Sequence, residues 1–199
     1  MADNGVNKGR RRFLVGATSV VGAVGAVGVA VPFVASWQPS ARARAAGAPV
    51  KADISKLEPG QRMTVEWRGK PVWVINRTPD MMDRTQALGA DSLVDPESEV
   101  PQQPAYIDST LRSIKPEIGV LVGICTHLGC SPLFKPEPDA DGVSVKDWPG
   151  GFFCPCHGSR FDLAGRVFKN VPAPINLEVP PYRFDSDNII VVGEDKETA

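Results

Sequence analysis

All four cysteines and both histidines of the 199-residue chain lie in two short stretches, Cys125-Thr126-His127-Leu128-Gly129-Cys130 and Cys154-Pro155-Cys156-His157-Gly158-Ser159. We call these stretches box 1 (residues 125–130) and box 2 (residues 154–159). Because no cysteine or histidine lies anywhere else, chance is a poor explanation for the clustering. The two boxes therefore predict one site that is built from two loops.

Three kinds of site could use this set of side chains. Two disulfides in an exported domain would use the four cysteines but would leave the paired histidines unexplained. A structural zinc site could take two cysteines and two histidines, but such sites normally pair like ligands within one loop. A binuclear iron–sulfur cluster accommodates the mixed set, with two thiolates on one iron and two imidazoles on the other. The pattern Cys-x-His followed by Cys-x-x-His is typical of that cluster.

The chain begins with a basic segment and a long apolar stretch. Residues 13–37 are 25 apolar or small residues without charge, which as a helix would be about 37 Å long and would span a bilayer core of ~30 Å. The preceding Gly9-Arg10-Arg11-Arg12-Phe13-Leu14 resembles a twin-arginine export signal, with Gly9 in place of the usual Ser or Thr. We expect a cytoplasmic segment over 1–12 and a transmembrane helix over 13–37. An Ala-rich hinge over 38–50 would then lead into an exported head over 51–199.

The head and the arm have opposite charge. Residues 1–51 carry seven basic side chains and one acidic one, whereas residues 52–199 carry 15 basic and 22 acidic side chains. The total of −1 therefore combines +6 on the arm with −7 on the head. An acidic head argues against binding to nucleic acid and is compatible with a basic protein partner.

The head is predicted to be mostly antiparallel β-structure with one helix–loop insertion. Thr78 as N-cap, Pro79 at the first position and Gly89 past the end indicate the helix, and the polar residues 91–104 indicate the loop. Alternating or continuous apolar runs indicate strands at 63–67, 71–77, 118–124, 152–153, 182–184 and 189–192.

The boxes resemble those of the Rieske proteins, specifically the iron–sulfur subunit of the ubiquinol–cytochrome c reductase (cytochrome bc complex) of bacteria. The likeness extends over the anchor, the hinge, the head and the later stretch Pro172–Pro180. It implies a Rieske-type β head in which residues 118–180 bind one 2Fe-2S cluster.

The resemblance also implies a role for individual residues. Cys125 and Cys154 would bind the inner iron, and His127 and His157 would bind the outer iron. Cys130 and Cys156 would form a disulfide between the two loops. Ser159 would donate a hydrogen bond to a cluster sulfur, and Leu128 and the segment 172–174 would cover the histidine edge. A tyrosine that often follows two residues after the serine is replaced here by Phe161, which removes a donor and predicts a lower midpoint potential than in the relatives with tyrosine.

The implied function is one-electron oxidation of ubiquinol at the cluster, with His157 contacting the quinol, and electron delivery to a c-type cytochrome. The expected partners are cytochrome b and the c-type cytochrome in a dimeric, proton-translocating respiratory complex of the bacterial inner membrane, with membrane lipid around the anchor. The head would be periplasmic. The alternatives are an anchored Rieske subunit of an arsenite-type oxidase or of the plastoquinol complex, and a membrane-tethered zinc module that mediates protein contacts.

Overall fold

The computed structural model describes residue 5 and residues 7–138, 140–143 and 148–195. The chain divides into two compact units, one up to residue 45 and one from residue 46 onward. Parts of two predicted segments lie outside the described residues, namely parts of the basic segment 1–12 and of the head 51–199.

The first unit contains a long apolar helix, α1 (Lys8–Ala35). Asn7 caps it by accepting a hydrogen bond from the Arg10 amide at 3.1 Å, which brings the arginines into the helix. Its 28 residues include an 18-residue window with mean hydropathy 2.1, so it is long and apolar enough to cross a membrane. The helix starts five residues before the start of the predicted span 13–37 and ends two residues before the end of that span. A six-residue helix, α2 (Ala41–Ala46), lies within the predicted hinge.

The described residues of the second unit form three antiparallel three-stranded sheets, with orders β1-β9-β8, β2-β3-β4 and β5-β6-β7. This confirms the predicted mostly-β fold class. The nine described strands are β1 (Val50–Asp53), β2 (Arg62–Trp67), β3 (Lys70–Asn76), β4 (Ile118–Val122), β5 (Leu133–Lys135), β6 (Gly151–Phe153), β7 (Arg160–Asp162), β8 (Tyr182–Ser186) and β9 (Ile189–Val192).

The helix–loop insertion follows β3. Thr78 is the N-cap of this helix, α3 (Pro79–Ala87), and its hydroxyl oxygen accepts a hydrogen bond from the Met81 amide at 3.2 Å. The predicted start is therefore correct. The end of α3 differs from the expected one, in which a glycine with positive φ caps the helix. Gly89 has an ordinary φ of −63° and instead precedes a short 3-10 helix over Ala90–Ser92.

An aromatic stack joins the second sheet to the third. The Trp73 ring on β3 stacks on the Phe152 ring on β6 at 4.8 Å between centroids. The same indole occupies the space where a Cβ on Gly123 would stand, 2.3 Å away. Only glycine fits at that point, two residues before box 1. The stack thereby fixes where box 1 leaves β4 relative to the strands that carry box 2.

Candidate metal centre

The two boxes fold into loops of the same shape. In each box the amide of the first residue donates to the carbonyl of the sixth, and the amide of the fifth donates back to the carbonyl of the first. The fifth residue is glycine with a positive φ, 84° at Gly129 and 77° at Gly158, which a residue with a Cβ rarely adopts. The bonds are Cys125 N to Cys130 O at 2.8 Å, Gly129 N to Cys125 O at 3.1 Å, Cys154 N to Ser159 O at 2.8 Å and Gly158 N to Cys154 O at 2.9 Å.

The third sheet holds the loops together. Box 1 connects β4 to β5, and box 2 is the loop of the β6–β7 hairpin. Since β6 pairs with both β5 and β7, the ends of both loops lie on one small sheet. A disulfide between Cys130 and Cys156, with Cα atoms 6.7 Å apart, links the two loops covalently.

The other two cysteines are free and buried. The Cys125 thiol interacts with the Cys154 thiol and with the Ser159 hydroxyl. Burial raises the pKa of Cys125 above its ordinary value, although the His127 backbone and Ser159 act in the opposite direction. A buried thiolate pair needs a cation to stabilise it, and a metal ion supplies that charge.

The histidines lie at the exposed side of the loops. The rings of His127 and His157 stand edge to face, with centroids 4.7 Å apart and an interplanar angle of 86°. His127 is half-buried and His157 is exposed. Leu128, the residue that follows His127, leaves 71 % of its surface exposed.

The segment 172–176 is tied to both boxes. The Thr126 hydroxyl donates to the Ile175 carbonyl at 2.7 Å, and the Ala173 amide donates to the Ser159 hydroxyl oxygen at 3.0 Å. Ala173 is buried, whereas Pro172 and Pro174 are exposed. The segment 172–174, which is predicted to cover the histidine edge, is therefore held to box 2 by Ala173, and the adjacent Ile175 is held to box 1.

Asn176 and Arg112 complete this framework, and sequence reasoning missed both. Asn176 is buried, accepts from the Val167 amide at 2.8 Å and donates to the Asp95 carbonyl at 2.9 Å. Arg112 is 1 % exposed, and its φ is 52°. Its guanidinium donates to the carbonyls of Ala164 at 3.1 Å and Leu177 at 2.8 Å and to the Gln103 side chain at 2.8 Å. Burial lowers the Arg112 pKa to about 10, against the opposing effect of nearby carboxylates.

The donor set fits a cluster with unlike irons. It offers two buried free thiols on the inner side and two adjacent imidazoles on the outer side. The sulfur atoms of Cys130, Cys154 and Cys156 also lie within 4.8 Å of one another. They do not form a three-thiolate ligand set in this state, because Cys130 and Cys156 are joined in the disulfide and disulfide sulfurs are not thiolates.

Family comparisons agree with this donor set. A family described as "Rieske [2Fe-2S] domain" matches residues 49–182, more than half of the chain. A second, described as "Ubiquitinol-cytochrome C reductase Fe-S subunit TAT signal", matches residues 1–40. The chain therefore carries a Rieske domain, whose cofactor is one 2Fe-2S cluster.

Curated relatives extend the match to the whole chain. The ubiquinol-cytochrome c reductase iron-sulfur subunit of Allochromatium vinosum is 63 % identical over 100 % of this chain and 95 % of its own length. The subunit of the same name from Bradyrhizobium diazoefficiens is 41 % identical over 92 % and 94 % of the two chains, and that of Rickettsia felis is 43 % identical over 97 % and 100 %. The chain belongs to the family of Rieske iron–sulfur subunits of ubiquinol–cytochrome c reductase.

Proposed function

We propose that Cys125 and Cys154 bind one iron of the cluster and that His127 and His157 bind the other. The observation that carries this assignment is the separation of the two free, buried thiols from the pair of adjacent imidazoles at the exposed side. The cluster, when bound, accepts and releases one electron.

We infer that ubiquinol gives its electron at this exposed edge. His157 is exposed. Ferric iron on one ring nitrogen would acidify the imidazole, and once the other nitrogen had lost its proton it could accept a hydrogen bond from a quinol hydroxyl and take that proton. Leu128 and the segment 172–174 exclude water from the rest of the edge. Ser159 is buried with its hydroxyl at Cys125, and a donor at the sulfur atoms favours the reduced, more negative state.

The charge of the two ends of the chain and the apolar helix support a proposal for the surrounding assembly. We propose that α1 sits in the inner membrane among its lipids, with the basic N-terminus in the cytoplasm and the head in the periplasm. The head would meet cytochrome b at the quinol site and a c-type cytochrome as electron acceptor, within a dimeric complex. The net charge of −7 over residues 52–199 favours a basic surface on one of these partners.

A spectrum of the cluster under changing quinone occupancy tests this function. In membranes that contain the complex, low-temperature electron paramagnetic resonance of the reduced cluster should shift when ubiquinone is extracted and return when it is added back. A spectrum of the native chain that is indifferent to quinone would contradict ubiquinol as the substrate and would favour another anchored Rieske oxidoreductase.

Phe161 provides a test of how the protein sets the potential. Phe161 is fully buried on β7, in the same core cluster as Cys125 and Cys154. In Phe161→Tyr, a new hydroxyl donor to a ligand sulfur should raise the midpoint potential by roughly 60 mV, which for one electron corresponds to about 1.4 kcal/mol. The midpoint is measured by redox titration of the paramagnetic signal.

Phe153→Tyr is the matched control. Phe153 directly precedes Cys154 in the chain, but it packs against a separate apolar cluster that contains Leu93, Trp148 and Phe168. Its midpoint should stay unchanged. An unchanged or lower midpoint in Phe161→Tyr would refute the role of this position.

The hinge over 38–50 is proposed to let the head move between the quinol site and the cytochrome. Several prolines at 43–47 would break α2 and stiffen the connection. We expect quinol–cytochrome c turnover to fall at least tenfold while the signal of the reduced cluster keeps its shape and intensity. Serines at the same positions should leave turnover close to normal. Full turnover in the proline variant would rule out the movement.

A further inference from the structure

The disulfide and the ligand Cys154 form one compact group of sulfur atoms. The Sγ atoms of Cys130, Cys154 and Cys156 all lie within 4.8 Å of one another. With Cys130 and Cys156 bonded to each other, only Cys154 is able to offer a thiolate. The role of this grouping therefore depends on whether the disulfide is present.

Reduction changes the chemistry of the group. A dithiol reductant that supplies two electrons and two protons breaks the S–S bond, gives two thiols and is itself oxidised to a disulfide. Three thiols then stand together on two loops whose ends the third sheet still holds.

The spacing suits a tetrahedral soft metal ion. Zinc–sulfur bonds of ~2.3 Å place two thiolates of one tetrahedron about 3.8 Å apart, which lies inside the 4.8 Å limit of the group. The Cα atoms of Cys130 and Cys156 are 6.7 Å apart, near the upper end of the separations that disulfides span. The two sulfurs can therefore part to metal-binding distance without the loops separating.

We propose that in the disulfide-reduced chain Cys130, Cys154 and Cys156 form a three-thiolate site for a soft divalent cation such as Zn²⁺, and that formation of the disulfide abolishes this site. Binding releases the thiol protons to solvent. Given the proposed role of Cys154 as a cluster ligand, zinc and the cluster exclude each other. The disulfide then has a second effect besides linking the loops, because it reserves Cys154 for the cluster.

Before export the three cysteines would be reduced and free to bind a metal ion. Residues 1–40 match a twin-arginine signal family, and such a signal carries chains that fold first in the reducing cytoplasm, where disulfides do not persist. In that compartment the three thiols compete with cluster insertion for the same loop.

The test is metal titration of the full chain in detergent, prepared without its cluster, in disulfide-reduced and oxidised forms. The titrated chain carries Cys125→Ser, His127→Asn and His157→Asn, because these side chains together with Cys154 would otherwise offer zinc two thiolates and two imidazoles in both forms. Co²⁺ serves as the optical probe and Zn²⁺ as the competitor. Reduction should strengthen zinc binding roughly 100-fold and should produce a thiolate-to-cobalt charge-transfer band of the intensity that three thiolates give.

Variants separate this site from the proposed cluster ligands. In the reduced chain Cys130→Ser should weaken zinc binding roughly 100-fold, whereas Ser131→Ala, at the adjacent residue, should leave it unchanged. Cys125→Ser and the double variant His127→Asn/His157→Asn remove proposed cluster ligands and should retain the zinc site. Their zinc affinity tests the proposal even where one cysteine variant folds poorly.

Equal zinc affinity of the reduced and oxidised chains would overturn the proposal, as would loss of binding in the histidine double variant. The assignment of the cluster ligands is tested separately, by measuring the iron content of the oxidised, cluster-loaded chain.

Discussion

Cys154→Ala is expected to lose the cluster completely, so that iron and acid-labile sulfide in the purified full chain fall to background. Alanine offers no ligand, and Cys130 and Cys156, whose sulfurs lie within 4.8 Å of the Cys154 sulfur, cannot replace it because they are bonded to each other. One iron would keep a single thiolate, which is too few ligands for a stable centre. Iron and sulfide analysis of the chain extracted from membranes makes the measurement.

Ser159→Ala is the control for this experiment. Ser159 is as deeply buried and belongs to the same loop, but it is proposed to tune the cluster and not to bind it. We expect this variant to retain iron and sulfide at the native ratio. A cluster that survives in Cys154→Ala, or that disappears equally in Ser159→Ala, would contradict the ligand assignment.

Arg112→Gln is expected to lower the midpoint of thermal unfolding by about 10 °C, corresponding to a loss of about 3–4 kcal/mol. The native guanidinium joins the carbonyls of Ala164 and Leu177 to the loop at Gln103. Glutamine is too short to reach all three groups, so buried carbonyls lose their donors. The midpoint is followed by circular dichroism of the full chain in detergent, and the cluster absorption should disappear at the same lowered temperature.

Arg68→Gln is a close match for comparison. Arg68 has the same φ of 52° but is exposed in the β2–β3 turn, with its guanidinium 4.4 Å from the Trp67 ring centroid. Loss of one exposed cation–π contact should shift the midpoint by no more than about 3 °C. Equal shifts in the two variants would show that buried hydrogen bonds at Arg112 do not hold the site together.

Local patterns in the sequence were sufficient for most elements of the head. The alternation of residues 63–67 and the apolar run 118–124 correspond to β2 and β4, and the Thr78-Pro79 pair places the start of α3 correctly. In contrast, β5 and β7 have three residues each. A three-residue strand is too short for a period of two to be distinguished from chance, so it is the pairing of each strand with β6 that decides β5 and β7.

The composition of the site could be predicted, but not the framework that supports it. The six cysteines and histidines in the two boxes are sufficient to indicate the donor set. The contacts of Thr126 with Ile175, of Asn176 with Asp95 and of Arg112 with Leu177 join residues 49 to 81 positions apart. No local signal marks such pairs, because tertiary packing alone brings them together.

The most direct test of the account uses the fact that the chain has only two histidines. The full chain is labelled with ¹⁵N-histidine, reduced and studied by pulsed electron paramagnetic resonance. The account predicts couplings from two ¹⁵N-histidine ligands in the native chain. A native spectrum with no histidine coupling, or with only one, would contradict binding of the outer iron by His127 and His157.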